Sequence, residues 1–368
     1  MVNLKNEYTL ENLSAVITAI RFPMICLIVL DHVTIPTSMI TAYPGLQLSF
    51  SEFMCDLFSK SLSGVGVPLF FFISGYLFFR GFHPTFQSYF YKLKGRIRSL
   101  FIPYLIYTYI AIFIFAIMQM VLPQMMSGAH EPIAEWSVCD WLRNGLWLYE
   151  DEGIPFVGAL WFVRNLLVMV VASPIIWWTI HLTKGWIVVA LGILWYMDVW
   201  QFGIPGTMGL FFFTTGGVMS KLNFLNVFAR LHYVWAFFLV MLFIDALTKG
   251  IEWNAWLHRI TIFLGVPSLI NFFSFGVVHR RLHIPALLTE ATFFVYAAHT
   301  PYIAQFEKII IKLFPLSSNC IIADIESTIL YFSYMIFFVA ALVLIYWFIK
   351  KLSPSIASVL TGGRIVKS

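Results

Sequence analysis

Ten stretches of this chain are apolar over close to the length a helix needs to cross a bilayer. They cover 14–36, 64–80, 99–122, 158–181, 186–201, 206–220, 231–248, 257–278, 291–312 and 326–350. A spanning helix takes about 20 apolar residues. Within hydrocarbon each backbone polar group must be satisfied inside its own segment, so such stretches fold as helices. The expected fold is therefore all-α, a polytopic membrane bundle of about ten transmembrane helices. Only 11% of the residues are charged and 60% are hydrophobic. Soluble domains carry about 25% charged residues, so this chain lacks the charge to cover a water-facing surface. A soluble globular enzyme, a disordered chain and a disulfide-rich secreted domain are excluded. One membrane domain is expected over 14–350, between short cytoplasmic segments at 1–13 and 351–368.

The basic residues orient the bundle. With the N-terminus in the cytoplasm and the spans alternating, 15 of the 23 Lys and Arg fall on the inside. They cluster at Arg80, Lys92, Lys94, Arg96 and Arg98, at Arg280 and Arg281, and at Lys350 and Lys351. Cytoplasmic loops carry this excess in membrane proteins, so both termini are expected in the cytoplasm. The net charge of +5 is explained in the same way, and no nucleic-acid partner is expected. Polar residues 1–13 and the lack of a small-residue cleavage site predict that the first apolar run stays as a helix. Cys26, Cys55, Cys139 and Cys320 form no CxxC pair; a disulfide among the last three is left open. The outer loop 123–157 carries Trp136, Trp141, Trp147 and Tyr149. It reads as an interfacial aromatic belt or as a lid that stacks on sugar rings.

Ionisable residues inside a span are costly and mark function. The first span holds two, Arg21 and His32. Eleven residues are three helical turns plus about 20°, so both project from one face, about 16 Å apart along the axis. Asp31 precedes His32 and points about 100° away, so an intrahelical Asp31–His32 pair is not expected. One face of this helix thus presents a fixed cation and, further out, a titratable base; the alternative is that Arg21 snorkels to the inner headgroups and His32 sits in the outer interface.

At these residues the chain resembles the acyltransferase-3 family of bacterial membrane O-acyltransferases. An Arg, ten residues, then a His on the first helix is similar to that family's first-helix pattern. Gly66-Val-Pro-Leu-Phe-Phe-Phe-Ile-Ser-Gly-Tyr-Leu-Phe78 resembles its second-helix signature. Arg96-Ile-Arg98-Ser-Leu-Phe-Ile-Pro-Tyr104 is similar to its basic loop and Pro-Tyr helix start. Leu160-Trp-Phe-Val-Arg164-Asn-Leu-Leu resembles its fourth-helix motif, and Phe294-Val-Tyr-Ala-Ala-His299-Thr-Pro its ninth. The likeness runs over about residues 12–350, with five motifs in order.

The resemblance implies an enzyme that takes an acyl group, usually acetyl, from cytoplasmic acyl-CoA. It implies transfer to a hydroxyl of a cell-envelope glycan or related acceptor, in a bacterial inner membrane. Some relatives carry an additional extracytoplasmic hydrolase-like domain. This chain ends soon after its tenth apolar run, so its membrane domain is expected to complete the transfer or hand over to a separate protein.

His32 is then the expected general base or acyl relay, because imidazole titrates near neutrality. Arg21 is expected to hold a CoA phosphate or polarise the thioester carbonyl. Arg96 and Arg98 are expected to capture the phosphates of CoA, with Arg98, nearer the apolar segment, preferred. Arg164, Trp161, His299, Ser74 and Tyr76 are candidates for substrate contact. Trp161 is placed to stack on Arg164, and Ser74 with Gly75 equally fits close helix packing. Glu290 and His299 lie two and a half turns apart and face opposite ways. No metal-ligand spacing occurs and no metal is expected. Acyl-CoA is expected as donor substrate, with no permanently bound cofactor. The rival reading is a transporter or flippase of a glycan or lipid-linked sugar; no internal repeat supports it.

Overall fold

The computed structural model describes residues 10–35, 49–122, 132–146, 153–199, 203–231, 233–280 and 282–363. Glu131, Trp147, Tyr149, Glu150, Asp151, Glu152 and Arg281, and residues 1–9 and 364–368 of the two terminal segments, lie outside the described residues. Among the described residues the chain is helical, with no β-strand. The helices are α1 (Leu10–Asp31), α2 (Phe50–Phe79), α3 (Phe86–Val121), α4 (Val138–Leu146), α5 (Gly158–Val171), α6 (Ser173–Leu182), α7 (Ile187–Met197) and α8 (Thr207–Met219). They continue with α9 (Phe224–Phe228), α10 (Val234–Leu247), α11 (Asn254–Arg280), α12 (Ala286–Ala298), α13 (Thr300–Leu313), α14 (Cys320–Leu352) and α15 (Pro354–Leu360).

Five helices, α1, α2, α3, α11 and α14, are long and apolar enough to cross a membrane. The fourth apolar run is broken: α5 and α6 meet at a 63° bend. Ser173 and Pro174 open α6, and a proline at the start of a helix donates no amide to the turn before it. Helices α7, α8, α10 and α12 are apolar but shorter. The ninth run is also divided, with His299 at the joint between α12 and α13. The protein is thus a helical membrane protein whose long spans are interleaved with short and broken ones.

Helices α2 and α8 are joined most tightly. A Cβ on Gly75 would lie 2.0 Å from the Phe213 carbonyl oxygen, and one on Gly216 would lie 2.1 Å from that of Phe72. Gly209 sits under the Phe71 ring and Gly217 under that of Phe79. The contacts step by four residues in the same direction along both helices, so the pair runs parallel. Small residues allow backbones to approach closely where helix association depends on packing. This settles the alternative for Gly75: it is a packing residue.

A π-helical turn, Asp56–Leu62, widens α2 beside the end of α1. It aims Ser59 at the Leu30 carbonyl (2.7 Å) and at the Tyr331 hydroxyl of α14. At the same end, Asp324 of α14 accepts from the Phe50 and Ser51 amides (2.8 and 2.9 Å). A carboxylate there neutralises the unpaired amides that open α2. At the opposite end, buried Glu290 of α12 pairs with Lys350 of α14 at 2.6 Å, which fixes the face of α12 turned away from His299.

The described part of loop 123–157 folds back on the bundle. Trp141 packs on Phe113 of α3 and Trp136 on Phe156, with ring centres 5.4 and 6.0 Å apart. Asp140 accepts from the Ser137 amide and hydroxyl at 2.9 and 2.7 Å. Those bonds favour the ionised carboxyl and hold it below the usual carboxylate range. Trp136 and Trp141 therefore anchor the loop to the bundle. All four cysteines are free.

Candidate active site

Helix α1 presents Arg21, Ile25, Ile28 and His32 along one face, at the 3–4 residue spacing of a helical stripe. The first three line a cavity of about 180 Å³. Its other walls come from α2 (Val67, Phe70, Ser74, Leu77), α5 (Phe162, Leu166) and α12 (Thr292, Phe293, Tyr296). The cavity lies where these helices meet α3, which adds Leu100 and Arg96, and most of its wall is aliphatic or aromatic.

One end is cationic. Arg96, from α3, lines the same cavity as Arg21. Neither guanidinium has a hydrogen bond or ion pair with any described residue. Two unpaired cations beside an apolar chamber form an anion site, since guanidinium keeps its charge and binds phosphate or carboxylate in a forked geometry. Arg96 and Leu77 also line a second, more open recess of about 520 Å³, together with Lys92, Lys94 and Arg98. Arg96 thus stands where a basic surface recess meets the inner cavity. Arg98 is exposed and lines only the outer recess, whereas Arg96 lines both. Lys92 is already engaged: its ammonium donates to the Phe78 and Arg80 carbonyls that end α2.

Neither His32 nor His299 lines this cavity; the two imidazoles are connected to it through Tyr296. Tyr296 lines the cavity, and its carbonyl accepts the His299 Nδ1–H at 2.7 Å. The His299 ring is fully buried and stands 5.1 Å from the His32 ring, centre to centre. His32 is exposed just beyond the last turn of α1. Asp31 makes no hydrogen bond with the His32 ring but attracts it electrostatically, as it does His258 and Lys60, and bonds to Ser63. The α12–α13 joint is what brings His299 to the end of α1.

The remaining sequence candidates divide. Ser74 is in the cavity wall, and its hydroxyl has no partner among the described residues. Tyr76 is on another face of α2, donating to the Leu222 carbonyl at 3.0 Å with its ring edge-on to Phe224. Arg164 is buried outside the cavity and donates to the Gly153 carbonyl at 2.6 Å. It holds the chain leading into α5. Trp161 packs on Phe71, also outside the cavity. Phe162, its neighbour, is the aromatic of that motif that faces the chamber.

Four residues not singled out in the sequence line the cavity. Phe162 and Leu166 share a helical face, a signal readable as an i, i+4 pair. Tyr296 is three residues before His299, the spacing that allows its carbonyl to accept from that ring. Phe293 shares a wall with it. A separate polar cluster ties α10 to α11. Buried Asp245 accepts from His258 Nδ1 at 2.8 Å, Lys249 at 2.9 Å and Asn254 at 2.9 Å. Among the described residues no group of three or more His, Cys, Asp or Glu is placed to hold a metal ion.

The family model described as an acyltransferase domain matches residues 15–349, nearly the whole chain. No curated protein and no solved structure matches it. The matched span contains Arg21, Arg96, His32, His299 and the lining of the cavity. The chain belongs to the acyltransferase-3 family.

Proposed function

We propose that this protein is a membrane O-acyltransferase that moves a short acyl group, acetyl by the family's common usage, from acyl-CoA to a hydroxyl of a cell-envelope glycan. The observation that carries the reading is a cavity lined by unpaired Arg21 and Arg96 and by Tyr296, whose carbonyl holds His299 beside His32 just outside that lining. The donor binds with its phosphates in the basic recess around Arg96 and its thioester directed into the chamber. Ser74 and Arg21 are the polar groups available to the acyl carbonyl. The acceptor hydroxyl arrives at the exposed face of His32.

Attack of the hydroxyl oxygen on the thioester carbon forms the new ester bond and breaks the C–S bond. His32 takes the hydroxyl proton and returns it to the CoA thiolate, so no net proton is consumed. The apolar wall excludes water that would otherwise hydrolyse the thioester.

In this reading the ten apolar segments all cross the membrane and both termini face the cytoplasm. That puts Arg21, Arg96 and the basic recess on the donor side and His32 on the acceptor side of a bacterial inner membrane. The positive-inside distribution supports this orientation. So does the parallel run of α2 and α8, which alternation through ten spans requires.

The test is transfer from labelled acetyl-CoA in membranes containing the protein, with host envelope glycans as acceptor. His32→Ala at matched expression is expected to abolish acceptor labelling. Equal labelling by both proteins would remove His32 from the chemistry.

A further inference from the structure

The general base as described lacks one part. A neutral imidazole acts as a base only through its unprotonated nitrogen, and the partner of its other nitrogen decides which one that is. No described carboxylate or carbonyl is hydrogen-bonded to the His32 ring, and Asp31, its neighbour in sequence, attracts it only electrostatically.

His299 supplies the missing partner. The Tyr296 carbonyl can only accept, so in neutral His299 the hydrogen is on Nδ1 and Nε2 is left as a bare acceptor. That Nε2 is buried and has no hydrogen-bond partner among the described residues. A buried polar atom without a partner is rare in a native fold and asks for a physical reason. The ring nearest to it that can supply an N–H is His32, with centres 5.1 Å apart and planes inclined at 47°. Five-membered rings at that separation reach hydrogen-bond distance, about 3 Å between nitrogens, once a His32 nitrogen turns inward. His32 is exposed and free to turn, whereas His299 is fully enclosed and fixed by its backbone bond.

We propose that His299 is the positioning residue of the site. Its Nε2 accepts the inward N–H of His32, which fixes the outward nitrogen of His32 as the base and orients the imidazolium that forms when the acceptor proton arrives. The order of partners is Tyr296 carbonyl, His299, His32, acceptor hydroxyl. A neutral histidine here takes the place that a carboxylate holds behind the base of a hydrolase triad, and it does so without placing an anion in the apolar interior. The inference rests on His32 being the base.

Two measurements test it. The first needs no substrate: 15N spectra of histidine-labelled protein in lipid bilayers at neutral pH, with the His32 signal identified by its loss in His32→Gln. His32 is expected in one neutral tautomer in the wild type and in His299→Gln, whose side-chain oxygen accepts where Nε2 did. In His299→Leu it is expected as a mixture of both tautomers. A His32 spectrum unchanged in His299→Leu overturns the proposal, as does a mixture in the wild type.

The second is transfer from labelled acetyl-CoA. His299→Leu is expected to lower kcat about 10²-fold with KM for acetyl-CoA unchanged, and His299→Gln to recover most of that loss. Equal losses in the two variants would assign His299 to packing alone. Absence of transfer by the wild type would refute the acyltransferase reading, while the spectra would still decide the tautomer.

Discussion

Arg21 of α1 and Arg96 of α3 face one cavity from two helices, and among the described residues no carboxylate neutralises either. Like charges brought together without a counterion repel, so the site is arranged for an anion that arrives with a ligand. Removing one charge-assisted contact to that anion costs about 1.5–3 kcal/mol. Arg96→Ala is expected to lower kcat/KM for acetyl-CoA by about 10- to 100-fold. Arg98→Ala, which touches only the open recess, is expected to change it less than about threefold. Steady-state kinetics in membranes or detergent separate the two.

Cavity size sets a second expectation. Phe162 and Phe293 fill much of the apolar wall. Phe162→Ala opens space beside the acyl group, and each methylene that gains a buried place is worth about 0.8 kcal/mol. Butyryl-CoA carries two more methylenes than acetyl-CoA, so its kcat/KM relative to acetyl-CoA is expected to rise about tenfold. Trp161→Ala, outside the chamber, is expected to leave that ratio unchanged.

The α2–α8 seam predicts a stability effect unrelated to chemistry. A methyl group at Gly75 or Gly216 meets a backbone carbonyl oxygen near 2 Å, and a rigid backbone neighbour cannot move aside as a side chain can. Gly75→Ala and Gly216→Ala are each expected to cost about 3 kcal/mol. The readout is a lowered melting temperature in fluorescence-detected size-exclusion. Gly95→Ala, where a Cβ meets open space, is the control.

The Glu290–Lys350 pair gives a fourth. Glu290 is 2% exposed, and Lys350 reaches it at 2.6 Å. Lys350→Met withdraws the cation from a buried carboxylate, with an expected loss of about 3 kcal/mol. Adding Glu290→Gln removes the stranded charge, and the double variant is expected to recover most of the loss. Thermal unfolding of the three proteins checks the order.

Much of this was legible in the sequence because hydrophobic length and helical spacing are local properties. Arg21 and His32 share a face by arithmetic alone, and the 92–98 basic run marks the recess. What stayed hidden depends on relations between helices. Nothing in the spacing of Arg96 and Arg98 shows which one turns inward; the π-helical turn at Ile97–Phe101 lies between α3's basic start and its apolar length. Trp161 is the more conspicuous aromatic, yet Phe162 faces the cavity because of how α5 is rotated against α2. The Tyr76 and Arg164 side chains donate to the Leu222 and Gly153 carbonyls, partners that helical periodicity does not connect to them. The approach of His299 to His32 depends on a helix joint that hydropathy reads as one continuous span.

The glycine seam also bears on how the enzyme tells one donor from another. Helix α2 has its Phe70 and Ser74 side toward the chamber and, one residue further round, Gly75 set against the backbone of α8. Two main chains in direct touch leave no side-chain cushion to compress, so this wall is mechanically stiff. A bulkier acyl group gains no room by displacing it, and any give must come from α1, α3, α5 or α12. Discrimination by length then resides in a boundary that does not yield, and the glycines that build it act as a gauge for a substrate they never meet.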